Sequence, residues 1–103
     1  MIINYRMLIK GYIKDRKSKD RKFSYKVFAK ELGLKSRGFI ANLANEKRTA
    51  STATILALAR VMKLNQDETR YFVNLACYSN AENKEVKKFY EKEIIKDIKK
   101  YVG

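Results

Sequence analysis

Residues 28–43 read Phe28-Ala29-Lys30-Glu31-Leu32-Gly33-Leu34-Lys35-Ser36-Arg37-Gly38-Phe39-Ile40-Ala41-Asn42-Leu43, and their spacing decides the fold. Phe28 and Leu32 stand four apart, on one face of a helix. Ser24, ahead of them, is placed to cap that helix by accepting from an unpaired amide of its first turn. Gly33 ends it, because the residue just past a helix end often takes a positive φ that only glycine adopts without steric cost. A second helix starts at once, with Ser36 as its cap. On a wheel turned at 100° per residue its Phe39, Ile40 and Leu43 fall within about 100° of one another, a narrow apolar stripe.

The other side of this second helix carries Gly38, Ala41 and Asn45, with Arg37 and Asn42 on its flanks. Small groups let a helix come close to a surface, and Arg and Asn are shaped for bidentate contact with guanine and adenine edges. Ordinary solvated helices carry the same residue types, so this face has to be weighed with the rest of the chain.

Before the pair, residues 4–17 place Tyr5, Leu8, Ile9, Tyr12, Ile13 and Arg16 at amphipathic spacing, which predicts a first helix. Gly11 falls on its outer side. The run Arg16-Lys17-Ser18-Lys19-Asp20-Arg21-Lys22 holds five positive charges and one negative and reads as an exposed loop suited to phosphate contact or to solubility. After the pair, Ser51 or Thr52 caps a helix carrying Ile55, Leu58, Ala59 and Met62. Thr49, Thr52 and Thr54 are candidates for phosphate contact or for capping. Asn65 and Glu68 approximate a capping box, with Asp67 favourable at the positive end of the helix dipole. Tyr71, Phe72, Leu75 and Ala76 form the buried face there. Ser79 and Glu82 repeat the capping pattern and open a last helix reaching Val102. Its stripe of Val86, Phe89, Tyr90, Ile94, Ile95, Ile98, Tyr101 and Val102 exceeds what a core already closed by five helices needs. Dimerisation, a junction to further sequence and simple packing are the three uses for that surplus.

The composition narrows the function. The chain has 103 residues, 46% of them hydrophobic, no proline and four glycines, which suits one all-helical domain with short connections. Its single cysteine, Cys77, allows no internal disulfide and reads as a small core residue. With no histidine, and with 11 scattered carboxylates, neither a metal site nor a catalytic constellation is indicated, so no enzyme, cofactor or small-molecule ligand is expected. No apolar run approaches the roughly 20 residues of a membrane span, and Asn4 and Arg6 interrupt the N-terminal apolar start, against a signal peptide. The expected location is cytoplasmic and nucleoid-associated. The net charge of +13 calls for a polyanionic partner, nucleic acid before an anionic membrane.

Phe28-Ala29-Lys30-Glu31-Leu32-Gly33, then Phe39, Asn45-Glu46-Lys47-Arg48, Ser51 and Leu58-Ala59-Arg60-Val61-Met62-Lys63-Leu64 resemble the Cro/repressor-like (Xre-type) helix-turn-helix domain. The resemblance covers about residues 24–78 and is nearest to bacterial regulators that carry this domain at the N-terminus of a longer chain. Two departures stand out: Glu46 replaces the glycine of the family's Glu-Gly-Lys-Arg turn, and the usual larger C-terminal region does not follow. The resemblance implies that the turn after the second helix docks on the DNA backbone through Lys47 and Arg48.

The reading is an all-α single domain over residues 1–103: a compact orthogonal bundle of five short helices containing a helix-turn-helix, with a longer helix at about 80–102. Double-stranded DNA is the expected partner, bound sequence-specifically with the helix at about 36–45 in the major groove. Arg37, Gly38, Ala41, Asn42 and Asn45 are the expected base contacts. Lys17, Lys19, Arg21, Lys22, Lys35, Ser36, Lys47 and Arg48 are the expected phosphate contacts. A homodimer through the last helix would set two half-sites about 34 Å apart. The rival readings are a non-specific nucleic-acid packaging protein and a protein-interaction module using the same surface.

Overall fold

The structure, a computed structural model, describes residues 3–34, 38–46 and 48–102, with 101 and 102 described by backbone alone. Six helices account for most of it: α1 (Tyr5–Lys19), α2 (Tyr25–Glu31), α3 (Gly38–Ala44), α4 (Thr52–Val61), α5 (Gln66–Asn80) and α6 (Lys84–Val102). No strand occurs among the described residues. The all-α class is as expected, and the pair that the 28–43 spacing predicts is present as α2 and α3, packed on each other.

The helix starts follow local chemistry. Asn4 caps α1 by accepting from the Arg6 amide, Ser24 caps α2 from Val27, and Ser51 caps α4 from Thr54. Asn65 and Glu68 form a reciprocal capping box on α5. Caps of this kind are worth about 1 kcal/mol each. Two helix ends use one device. After α2, the Gly33 amide donates to Lys30 and the Leu34 amide to Ala29, and after α4 the Lys63 amide donates to Arg60 and the Leu64 amide to Ala59. This is the Schellman closure, which needs a left-handed residue. Gly33 meets that need at φ +76°, and Lys63 meets it at φ +58° with a side chain in place.

Two boundaries differ from the sequence reading. The basic run is not a loop from Arg16, because α1 continues through Lys19. Nothing in Arg-Lys-Ser-Lys breaks a helix, and positive charge in the last turn suits the negative end of the dipole. Only beyond Asp20, whose carboxylate accepts from the Lys22 amide, does the chain turn away. Ser79 does not open the last helix either. It lies within α5, and Asn83 caps α6 by accepting from the Glu85 and Val86 amides.

One core draws on every helix: Tyr5 and Ile9 of α1, Phe28 of α2, Ile40 and Leu43 of α3, Leu58 of α4, Phe72 of α5 and Ile94 of α6 are fully buried. Each such side chain contributes about 1.5–3 kcal/mol by leaving water. Tyr5 meets Phe72 edge-on, with ring centroids 6.2 Å apart, while Tyr12, Phe23 and Phe28 cluster behind α2. The last helix is therefore part of the core, packed mainly along α5. Its stripe is divided: Ile94 is buried, whereas Val86, Phe89 and Ile95 remain exposed.

Candidate nucleic-acid interface

Helix α3 is two turns long, and its sides separate cleanly. Ile40, Leu43 and Ala44 face the core, Phe39 packs against its edge, and Asn42 stands in solvent, with Gly38 and Ala41 half-covered beside it. Asn45 continues the same side just past the helix. Gly38, Ala41, Asn42 and Asn45 follow the i, i+3, i+4, i+7 spacing of a single face. The wheel drawn from the sequence thus matches the observed division between core and surface. Lys35, Ser36, Arg37 and Lys47 lie outside the described residues.

What holds this short helix in place is a side chain that the sequence pattern did not single out. Arg6 of α1 is only 8% exposed. Its Nε–H donates to the Leu43 carbonyl at 2.9 Å, in the last turn of α3, and its Nη2 donates to the Arg48 carbonyl at 3.0 Å, in the turn that follows. Its Nη1 donates to the Ser79 hydroxyl of α5 at 3.3 Å. The guanidinium also stacks on the Tyr5 ring, 4.8 Å from its centroid. A buried cation here satisfies one carbonyl in the last turn of α3, which has no partner within the helix, and one in the turn beyond it, and its charge complements the negative end of the α3 dipole. The rigid five-donor fork makes arginine, and not lysine, suited to three acceptors at once. Asn80 adds a fourth tie by donating to the Ala50 carbonyl. The outer face of α3 and the turn after it are therefore set from behind by α1 and α5.

The turn itself carries strain. Glu46 adopts φ +64°, the left-handed region that glycine enters without steric cost and a residue with a side chain does not. The Glu46 carboxylate accepts from the Asn4 side chain at 3.4 Å. Arg48 is exposed, with its guanidinium over the Phe39 ring at 5.0 Å, so a positive charge stands at the edge of α3.

The other basic candidates form a separate group. Lys17, Lys19, Arg21 and Lys22 are all exposed, at the end of α1 opposite Arg6. At 1.5 Å per residue, Lys17 lies about 16 Å along the helix from Arg6. Lys17 rests over the Tyr25 ring at 5.4 Å, and Lys19 pairs with Asp15 at 3.1 Å. Arg16 is held differently: it donates to the Glu31 carboxylate and to the Tyr12 hydroxyl, and these bonds, Glu31's first, raise its pKa, so this half-exposed guanidinium is tied to α2. Of the threonines, Thr54 is engaged with Ser51, while Thr49 and Thr52 are exposed.

Asn4, Met7 and Lys10 of α1 line a crevice of about 340 Å³ against Ala44, Asn45 and Glu46. These α1 residues join the α3 face only in three dimensions, and the sequence reading did not include them.

No helix among the described residues is long and apolar enough to cross a membrane, and no group of three or more potential metal-ligating side chains occurs among them. The fold and this face together define a small, strongly basic helical bundle that presents one short helix outward. Comparison of the chain with protein-family models, with curated proteins and with solved structures returns no match.

Proposed function

We propose that the chain binds double-stranded DNA sequence-specifically, as a Cro/repressor-like helix-turn-helix module of a bacterial or phage transcriptional regulator acting in the cytoplasm at the nucleoid. The observation that carries this reading is the division of α3. Its apolar side is buried while Ala41, Asn42 and Asn45 stay at the surface, on a chain of net charge +13.

In the proposed mechanism α3 enters the major groove. Gly38 and Ala41 permit close approach, and Asn42 and Asn45, with Arg37 ahead of them, read base edges. Arg48 and Lys47 hold phosphates at one end of the helix, and the cluster from Lys17 to Lys22, with Lys35 and Ser36, holds them elsewhere. Such contacts set the register on the duplex without reading sequence. The role is binding, with no catalytic step. Val86 and Phe89, both exposed on α6, are the apolar groups a homodimer would cover.

Selection of bound duplexes from a random library at near-physiological salt tests the proposal. Recovery of a defined motif is the expected result, as an inverted repeat if the chain dimerises. Measurable binding with no motif would replace the proposal by non-specific packaging. Weak binding even at low salt would replace it by a protein-interaction role.

A further inference from the structure

A groove of about 640 Å³ opens between α1, α5 and α6, within the range of about 300–1,000 Å³ typical of small-molecule sites. Its walls are apolar and aromatic: Leu8 and Tyr12 from α1, Met62 after α4, Tyr71 and Phe72 from α5, and Ile98 from α6. The charge of its lining is unlike that of the chain as a whole, although Arg16 donates to the Tyr12 hydroxyl at 2.6 Å from outside that lining. Of 24 lysines and arginines, none is among the described residues that line the groove, and the single formal charge there is the Glu68 carboxylate.

Glu68 is set apart from its acidic neighbours. Asp67 has Lys100 at 3.8 Å, and Asp97 has Arg70 at 2.7 Å. Glu68 accepts the Asn65 amide at 2.9 Å and takes part in no ion pair among the described residues. Burial, and then the Asp97 charge, raise the Tyr71 phenol, which keeps it neutral and able to donate at the groove wall.

We infer that this groove binds an organic cation with a large apolar body. The Tyr71 ring offers positive charge an aromatic partner as well as apolar contact, whereas Phe72 is fully buried and Tyr12 already has the Arg16 guanidinium over its ring at 5.7 Å. Glu68 supplies the countercharge. Glu68 is exposed, so an anion would be repelled by that carboxylate and a neutral guest would gain nothing from it. The inference stands apart from DNA binding, since the groove shares no residue with the exposed face of α3.

Tetraphenylphosphonium and tetraphenylborate, of like shape and opposite charge, provide the test. On net charge alone the +13 chain favours the borate, whereas the groove favours the phosphonium. Tetraphenylphosphonium is expected to shift the methyl NMR signals of Leu8, Leu64 and Ile98 saturably. Glu68→Gln, which keeps the capping box because Gln also serves at that position, is expected to weaken that binding about fivefold, the effect of one partly exposed charge pair. Absence of saturable shifts at these methyls would overturn the inference. So would equal shifts with tetraphenylborate, or an affinity unchanged by Glu68→Gln.

Discussion

Two charged side chains are buried among the described residues, Arg6 and Asp97, and they are held in opposite ways. Arg6 gives its protons to two backbone carbonyls and a hydroxyl on three different segments. Asp97 has one partner, Arg70, which is half-exposed, and its second carboxylate oxygen is buried without a hydrogen bond. Two of the three acceptors around Arg6 belong to the backbone and cannot move out to water if the cation is lost. Arg70 can. What a buried charge contributes depends on what its removal would strand. By that measure the α3 end of the molecule depends on its buried charge, and the α5–α6 hairpin does not.

The largest expected effect tests the first half of that comparison. Arg6→Met should cost about 2–3 kcal/mol, because the Arg48 carbonyl loses its partner inside the fold and the Leu43 carbonyl keeps only the longer bond from the Glu46 amide at 3.3 Å. Urea unfolding measures the total. Amide exchange distinguishes local from global loosening, and Asn45 and Glu46 should gain more exchange than Phe72. A loss below about 1 kcal/mol would place Arg6 alongside Asp97 and erase the contrast.

Next come the two strained turns, one at each end of the comparison. Glu46, beside the Arg48 carbonyl that Arg6 holds, and Lys63, ahead of α5, both have positive φ without being glycine, at a cost of about 1–2 kcal/mol each. Glu46→Gly and Lys63→Gly should each raise the urea midpoint by an amount equivalent to about 1 kcal/mol. The converse change, Gly33→Ala, should lower it by a similar amount. Space is not the obstacle at Gly33, since an added Cβ would meet nothing within 4 Å; the backbone angle is.

Asp97→Leu tests the second half. It should change stability by less than about 1 kcal/mol in either direction, since an unpartnered oxygen is removed and Arg70 returns to water. A loss near 3 kcal/mol would show that the hairpin relies on its buried charge as heavily as α3 does.

The smallest effect concerns Tyr5, whose ring lies under Arg6. Burial raises its phenol above the ordinary 10.0, and the Arg6 charge offsets part of that rise. The folded state therefore favours the neutral phenol. Its stabilising contribution is complete below the unfolded value of 10.0 and is lost as pH rises through the folded one. Tyr71 and Tyr90 are raised as well, Tyr71 chiefly by burial and Tyr90 by the neighbouring Cys77 thiol. Stability should fall on the alkaline side, and Tyr5→Phe should make that fall shallower while changing neutral-pH stability by a few tenths of a kcal/mol. An unchanged alkaline slope would remove Tyr5 from the titrating set.

Much of the fold could be read from neighbouring residues. The α1 stripe, the Ser24 cap, the Gly33 end and the Asn65–Glu68 box each depend on contacts within one or two turns, which residue identity and spacing encode directly. The outer face of α3 was legible for the same reason: a helix that buries Ile40 and Leu43 must turn Asn42 away from them. Other features had no such signature. Ser79 and Glu82 carry a capping pattern in sequence, but the cap falls to Asn83 because Ser79 lies within α5, where it accepts from Arg6. The charge of the basic run suggests a loop, but nothing in residues 16–19 prevents helix and α1 continues through them.

The sequence alone determined the helical class, most helix ends and the polarity of each helix, since these follow from bonds spanning five residues or fewer. Tertiary structure decided which charges are buried and what they hold. Arg6 reaches partners 37, 42 and 73 residues away, and Arg70 meets Asp97 across 27. It also assembled the groove beside Glu68 from three helices and the connection after α4. Hydrophobic periodicity assigns a face to each helix but not the neighbour that the face will meet, and these features exist only once those neighbours are chosen.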